Sequence, residues 1–281
     1  MKWGQMELHL ISDGTLWLDG GAMFGIVPKA LWQKKTPPDQ QNRIRLALNC
    51  LLIQTGEKNI LIDTGCGFKY SEKEIQIYRI EHETDIMKEL DRVSLGPGDI
   101  DVVINTHFHF DHCGGNTVFL DEEIVPAFPR AAYWISRQEF DDANQPNERT
   151  AATYFSQNWK PLQERGLLHL FDEEPEVVPG VKLVHTPGHT AGHYSVKIQS
   201  EGRVMFFIAD LCPTTAHIRL PWIMGYDLYP MTTLQVRRQI YAQAVEEKWL
   251  LFFEHDPECP LGYLSKEAGQ YVLQPEPWQK Q

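Results

Sequence analysis

The densest group of side chains capable of chemistry lies in residues 106–112, THFHFDH. Three imidazoles and one carboxylate fall within six residues, at His107, His109, Asp111 and His112. Imidazole and carboxylate are the usual ligands of zinc. In an extended segment His107 and His109 project to the same side, because side chains alternate with a period of two. The run therefore predicts a metal site, in which Asp111 and His112 face a second ion after the chain bends.

Ligand-type residues also follow four of the short apolar runs. They are His107, His189, Asp210 and His255, which come after residues 102–104, 181–184, 204–209 and 249–253, respectively. If those runs are neighbouring strands of one sheet, their C-terminal ends converge on one rim, where such proteins commonly place their sites. Alone, Asp210 reads as a turn residue and His255 as a surface histidine. When these residues are considered together with the run 106–112, the pattern favours one metal site that they share.

These residues, with the strand and turn 60–65 and the turn 186–190, resemble the metallo-β-lactamase superfamily of binuclear metal hydrolases. The resemblance spans roughly residues 47–255 and implies an α+β fold. The implied architecture is an αββα sandwich of two mixed β-sheets with helices on the outer faces. The implied ligands are His107, His109 and His189 for one ion, Asp111, His112 and His255 for the other, and Asp210 as the bridge.

Within that superfamily the sequence is most similar to quorum-quenching N-acyl homoserine lactone lactonases. The stretches that carry this similarity are residues 107–116, 221–224 and 253–257. One position departs from the pattern. Some of these lactonases carry a Tyr three residues after the bridging Asp, where this chain has Pro213. Either another residue, such as Tyr226 or Tyr229, replaces it, or the substrate differs.

The resemblance implies a dinuclear metal-dependent hydrolase that opens lactones or esters by attack of a metal-bridging hydroxide. Two divalent ions per chain are expected, with zinc favoured and manganese, iron or cobalt as alternatives, because nitrogen and oxygen ligands suit all of them. Asp111 and Asp210 are the candidates for passing a proton to the departing alkoxide. Asp63 is the candidate for orienting a ligand, with a turn-forming role as the alternative. The alternative functions are an organophosphate triesterase or thioesterase on the same site and a non-catalytic metal-binding sensor.

Apolar residues elsewhere are candidates for the wall of a substrate pocket. They are Met23, Phe24, Phe68, Trp222, Met224 and Tyr226. Ordinary core or dimer packing is the alternative for each of them. Residues 19–42, rich in Gly, Pro and Trp, are predicted to form an extended N-terminal loop or arm. Through this arm Met23 and Phe24 would reach the site of a partner in a possible homodimer.

Composition narrows the class of protein. The 281 residues are 42% hydrophobic and are predicted to form a single domain, 1–281. The net charge of −12 disfavours nucleic acid as a partner, and the expected partner is a small-molecule lactone or ester. Five scattered cysteines without a CxxC pair favour a reducing, cytoplasmic location. No apolar run approaches the ~20 residues of a membrane helix, so no membrane association is expected.

The elements that position these residues can also be predicted. Strands are expected over residues 8–11, 47–53, 59–62, 102–105, 131–136, 181–185, 194–198, 204–209 and 249–253. A turn is expected at residues 13–14, a helix over 84–93 and a weaker helix over 149–165, which contains Pro161. Apolar residues at i, i+4 and i+8 predict an amphipathic helix around residues 236–244.

Overall fold

The structure, a computed structural model, describes residues 1–278 of the chain. Its strands are β1 (Lys2–Trp3), β2 (Met6–Asp19), β3 (Arg43–Gln54), β4 (Asn59–Ile62), β5 (Val102–Ile104), β6 (Thr117–Leu120), β7 (Glu123–Pro126), β8 (Ala132–Ser136), β9 (Leu168–Phe171), β10 (Glu176–Val178), β11 (Val181–His185), β12 (Tyr194–Ser200), β13 (Arg203–Phe207), β14 (Leu250–Phe252), β15 (Leu261–Glu267) and β16 (Gln270–Pro275). Its α-helices are α1 (Gly20–Phe24), α2 (Lys29–Trp32), α3 (Glu72–Tyr78), α4 (Ile86–Arg92), α5 (Phe110–Cys113), α6 (Arg137–Asn144), α7 (Lys160–Glu164) and α8 (Pro230–Glu246). Single 3-10 turns cover Pro97–Asp99, Gly114–Asn116, Ser156–Asn158, Ala209–Leu211 and Thr215–His217.

The chain forms two compact units. The first consists of Met1–Gly14 and Leu48–Glu173, and the second consists of Thr15–Ala47 and the chain from Glu174 onwards. A single domain over 1–281 stays a prediction, and its last three residues lie outside the described part of the chain. Two mixed sheets with helices agree with the expected α+β class.

The sheet of the first unit has the strand order β1-β2-β3-β4-β5-β8-β9. Strands β4, β5, β8 and β9 run parallel. Parallel strands are covered on both faces and are therefore apolar along their length, as the buried Val-Val-Ile of β5 is. A core cluster that includes Leu61, Val103 and Tyr133 packs against this part of the sheet. Because β4 and β5 end at the same edge, Asp63 and the chain at Thr106 meet there.

The sheet of the second unit has the strand order β10-β11-β12-β13-β14-β15-β16. Strands β13 and β14 are parallel, and β11 runs in the same direction because β12 is antiparallel to both β11 and β13. The ends of β11, β13 and β14 therefore share one edge, and His189, Asp210 and His255 follow them. The condition that all four runs are neighbours in one sheet is not met, because His107 follows β5 of the other sheet. Each of the two sheets thus has one edge where strand ends lead into candidate ligands.

Two local predictions are wrong. Strand β2 continues through Asp13 and Gly14 without reversing. Gly14 has φ +96°, and a Cβ there would lie 2.3 Å from the carbonyl oxygen of Glu81, so glycine serves close approach of the backbone rather than a turn. Residues 149–165 contain only one 3-10 turn and the short α7. Pro161 lies in the first turn of α7, where its missing N–H costs no hydrogen bond.

Residues 19–42 contain α1 and α2 between irregular segments. The Asp19 carboxylate accepts a hydrogen bond from the backbone N–H of Ala22 at 2.8 Å and so caps α1. Phe24 stacks on Trp32 with their ring centroids 5.1 Å apart, and both side chains are buried. The segment is thus partly anchored by aromatic packing within the second unit, and an arm that reaches a partner stays a prediction.

Membrane-spanning segments were sought among the described helices. None of the helices within residues 1–278 combines the length and the apolar character needed to cross a bilayer.

Candidate metal centre

The first unit gathers four candidate ligands, His107, His109, Asp111 and His112, which we call the histidine-rich cluster. His107 and His109 follow β5 in an extended segment, and α5 then carries Asp111 and His112. The ring centroid of His107 lies 4.5 Å from that of His109 and 4.0 Å from that of His112. The ligand atoms of His107 and His109 lie within 4.8 Å of one another, as do those of Asp111 and His112. All four residues are buried.

Asp63 orients two imidazoles of the histidine-rich cluster. Its carboxylate accepts hydrogen bonds from the backbone N–H and the hydroxyl of Thr106, at 2.8 and 2.7 Å, and from Nδ1 of His112 at 3.0 Å. The Thr106 hydroxyl has one proton and donates it to Asp63, so it accepts from Nδ1 of His107 at 3.1 Å. Both imidazoles therefore carry the proton on Nδ1, which leaves Nε2 as the nitrogen that coordinates a metal.

The second unit gathers His189, Asp210 and His255, which we call the aspartate-centred cluster. Asp210 Oδ2 lies 3.0 Å from Nε2 of His189, and Asp210 Oδ1 lies 3.2 Å from Nε2 of His255. Ligand atoms at ~2.0–2.2 Å from a common ion are about 2.8–3.6 Å apart for angles between a right angle and the tetrahedral value. The two oxygens of Asp210 thus each stand at ligand spacing from a different imidazole.

Both imidazoles of the aspartate-centred cluster are held through Nδ1. His189 donates to Oδ1 of Asp227 at 3.0 Å, and the hydroxyl of Thr233 donates to Oδ2 of the same carboxylate at 2.7 Å. Nδ1 of His255 donates to the carbonyl oxygen of Ala47 at 2.8 Å. A carboxylate or carbonyl on the second ring nitrogen is the usual partner of a metal-bound histidine. Sequence reasoning missed Asp227, which stands 38 positions from His189 in a turn without a recognisable motif.

The chain on either side of Asp210 is fixed by unusual features. Ala209 has φ +47°, a left-handed conformation that is strained for a residue with a side chain. The fully buried Arg237 of α8 donates hydrogen bonds to three backbone carbonyls, those of Leu211, His217 and Trp222, at 2.5, 3.1 and 2.7 Å. Sequence reasoning missed Arg237 as well. Its guanidinium holds the segment that follows Asp210 against α8.

The residues proposed for a substrate wall lie in different environments. Phe24 stacks between the rings of Trp32 and His217, with centroids 5.1 and 4.3 Å away, and Trp222 meets it edge-on at 5.8 Å. Met23 and Met224 are also buried, and Tyr226 is half-buried. Phe68 is 59% exposed and lies 4.1 Å, between ring centroids, from His82. Contact of these six residues with a substrate stays a prediction, and the packing of Phe24 gives it a structural role.

The tyrosines considered as replacements at the position of Pro213 differ in exposure. Tyr229 is 51% exposed and directly precedes α8, while Tyr226 is half-buried. A third tyrosine, Tyr70, was not considered from the sequence. Burial first, and then electrostatic interaction with neighbouring groups that include Cys66 and Asp111, raise the pKa of Tyr70. Its phenol stays protonated and donates to the carbonyl of Phe110 at 3.2 Å.

Thiol chemistry is disfavoured next to the histidine-rich cluster. Burial raises the pKa of the Cys113 thiol, which donates to the carbonyl oxygen of Phe108. Burial, followed by the charge of Asp111, raises the pKa of Cys66 as well. A thiol with a raised pKa is a poor nucleophile. Cys113 is fully buried in a core cluster and therefore fits a packing role rather than a redox role.

The donor set of the two clusters fits divalent metal binding. It consists of five imidazoles and two carboxylates, all buried. Nitrogen and oxygen donors of this kind suit zinc, manganese, iron and cobalt. Four of the five imidazoles, those of His107, His112, His189 and His255, are oriented through Nδ1 by a carboxylate, hydroxyl or carbonyl. His/Asp clusters so arranged support divalent metal binding.

Comparison with known proteins agrees with these observations. The profile of the Metallo-beta-lactamase superfamily matches residues 44–258. An N-acyl homoserine lactonase from a Bacillus species is 31% identical over 227 residues, which cover 76% of this chain and 82% of that protein. The crystal structure of a probable metal-dependent hydrolase from Staphylococcus aureus is 34% identical, with a TM-score of 0.90 over 98% of this chain and 99% of that one. A quorum-quenching N-acyl homoserine lactone lactonase structure is 26% identical, with a TM-score of 0.70 over 92% and 95% of the two chains.

The chain belongs to the metallo-β-lactamase superfamily. The two mixed sheets with helices are its fold, as the sequence resemblance implied. Together with the His/Asp clusters, the relatives make this chain a metal-dependent hydrolase of the lactonase type.

Proposed function

We propose that the histidine-rich cluster and the aspartate-centred cluster together hold two divalent ions, with zinc as the favoured metal. In this proposal His107, His109 and His189 would hold one ion, and Asp111, His112 and His255 would hold the other. Asp210 would be the ligand that both ions share. The observation that carries the proposal is the placement of the two carboxylate oxygens of Asp210. Each lies near the Nε2 atom of a different imidazole, at the distance expected between two ligands of one metal ion.

The proposed reaction is the hydrolytic opening of an N-acyl homoserine lactone or a similar lactone or ester. The relatives named above support this substrate class, because the Bacillus protein is an N-acyl homoserine lactonase. Cys66 and Cys113 are poor nucleophiles because burial raises the pKa of both thiols, and this supports a hydrolysis in which water attacks. A lactone or ester of this kind is neutral, which suits a chain of net charge −12 better than a polyanion does.

The residues of the chain perform distinct tasks in this reaction. Two divalent ions, when bound, supply a nucleophilic oxygen at neutral pH and positive charge that stabilises the developing oxyanion. Asp63 and Asp227 keep the proton of His112 and His189 on Nδ1, so that the opposite nitrogen faces the site. Asp210 and Asp111 are the proposed carriers of the proton that the ring-opened alkoxide needs. Burial of these groups limits access of bulk water and strengthens their electrostatic interactions.

A substrate panel with a chelation arm tests the proposal. The purified enzyme is assayed on homoserine lactones of varied acyl length, on δ-lactones, on a phosphotriester and on a thioester, and its metal content is measured. We expect about two ions per chain, preference for lactones, loss of turnover on chelation and recovery with zinc or cobalt. Preference for the phosphotriester or the thioester would favour those alternatives. Two bound ions without any turnover would favour a sensor.

Single variants sharpen the assignment of the bridge. Asp210→Asn removes a charge between two proposed ligands and is expected to lower both the metal content and turnover, the latter by at least a hundredfold. The matched control is Asp172→Asn, which changes an exposed carboxylate paired with Arg137. Full metal content and full turnover in Asp210→Asn would contradict the proposed dinuclear centre.

A further inference from the structure

A cavity of about 510 Å³ opens on the second unit, and none of the candidate metal ligands lines it. Three segments form its walls: the chain at Arg219, the helix face of α8 at Leu234 and Arg238, and the β15–β16 hairpin at Gln270 and Tyr271. Pockets that bind small molecules commonly have volumes of ~300–1,000 Å³. The cavity is therefore large enough for a small organic ligand.

Two guanidinium groups line this cavity without a carboxylate partner. No Asp or Glu side chain among residues 1–278 forms an ion pair with Arg219 or Arg238. Glu267 is the nearest acid along the hairpin, where it lies opposite Gln270 in register. Both arginines are solvent-exposed, and the Arg219 guanidinium lies 5.8 Å from the centroid of the Trp222 ring, so both charges are accessible to a ligand. Arginine presents a planar fork of donors that matches a carboxylate or another oxyanion.

Apart from Gln270, the remaining side chains that line the cavity are largely apolar, and two of them are well supported. Leu220 and Tyr271 are half-buried and pack against the core of the second unit. The Tyr271 ring meets Tyr241 edge-on at 5.2 Å between centroids, which fixes its position. Leu234 lies one helical turn before Arg238, so an apolar side chain and a charged one face the cavity together. The site combines cationic groups with apolar walls, as an amphiphilic anion requires.

We propose that this cavity binds a small carboxylate with an apolar body, such as a medium-chain fatty acid. The carboxylate contacts the guanidinium groups of Arg219 and Arg238, and the alkyl chain lies against Leu220, Leu234 and Tyr271. A free phosphate fits less well, because it has no group for the apolar walls. A neutral alcohol of the same chain length fits less well, because it leaves the two charges unpaired.

Calorimetric titration with hexanoate, hexanol and inorganic phosphate tests this site on the metal-loaded enzyme. We expect hexanoate to bind at least tenfold more tightly than either of the other two. The double variant Arg219→Gln/Arg238→Gln is expected to weaken hexanoate binding at least tenfold while turnover of the substrate stays unchanged. The matched control is Arg165→Gln, which alters an exposed arginine of the first unit and leaves hexanoate binding intact.

Each other outcome of this titration overturns the proposal. Equal binding of hexanol marks a merely apolar groove, and equal or tighter binding of phosphate marks a plain oxyanion site. Hexanoate binding that persists in the double variant and competes with substrate places the carboxylate at the metal centre instead. Binding is measured apart from turnover, so failure of the proposed lactonase activity leaves this test valid. Circular dichroism of the double variant checks that its fold is retained.

Discussion

Replacing Asp227 by asparagine removes one negative charge from the partner of His189 with little change in volume. The carboxylate accepts from Nδ1 of His189 at 3.0 Å and is 3% exposed. A hydrogen bond to a charged group contributes about 1.5–3 kcal/mol, and a neutral one about 0.5–1.5 kcal/mol. The difference of about 1–1.5 kcal/mol corresponds to roughly tenfold in an equilibrium constant. We therefore expect Asp227→Asn to weaken metal binding about tenfold.

The assay is competition for zinc with a chromophoric chelator, followed by turnover at saturating metal. Asp85→Asn is the matched control, because Asp85 is a buried carboxylate that caps α4 through the N–H of Lys88. Asparagine caps a helix about as well as aspartate, so the control is expected to keep its unfolding free energy to within about 1 kcal/mol and to keep its metal affinity. Equal metal affinity of Asp227→Asn and the wild type would refute the argument that Asp227 orients a ligand.

Three further predictions concern stability and reactivity. Burial and the charge of Arg237 lower the pKa of His217 to about 3. The neutral imidazole therefore contributes fully to the unfolding free energy above ~pH 6.5, and this contribution is lost as the pH falls toward 3, by about 2–3 kcal/mol at pH 4.5. Denaturant titrations of the wild type and of His217→Gln check this expectation, and parallel pH profiles of the two proteins would contradict it. A Cβ at Gly188, where φ is +142°, would lie 2.3 Å from Oγ1 of Thr233. Gly188→Ala is therefore expected to lower the free energy of unfolding by at least ~2 kcal/mol, as measured by thermal unfolding. An unchanged unfolding midpoint would count against the close contact. Iodoacetamide is expected to label the partly exposed Cys259 before the fully buried Cys113, as peptide mass mapping of the native protein will reveal, and the reverse order would disprove it.

The sequence was most informative where several apolar runs end in ligand-type residues. Parallel strands expose their C-terminal ends at one edge, so Asp210 after β13 and His255 after β14 were predictable neighbours. The division of the strands between two sheets was not predictable from such runs, because a run carries no information about its pairing partner. Only the family resemblance implied two sheets, and the runs themselves did not indicate which sheet carries His107.

The residues that hold the clusters were harder to predict than the residues that form them. Asp227 and Arg237 act through contacts with chain segments far away in sequence, and neither belongs to a local motif. A buried arginine within an amphipathic helix looks like a solvent-exposed one until the packing is known. The turn expected at Gly14 failed for a similar reason, since the approach of Glu81 gives that glycine its purpose.

Helix α8 connects two features of the aspartate-centred cluster. Thr233 and Arg237 are four residues apart and so lie on one face of the helix; the first supports the partner of His189 and the second clamps the chain after Asp210. Loading this cluster with cations therefore ties down the helix itself. We therefore expect the backbone amide protons of α8 to exchange with deuterium more slowly when metal ions are bound to this cluster.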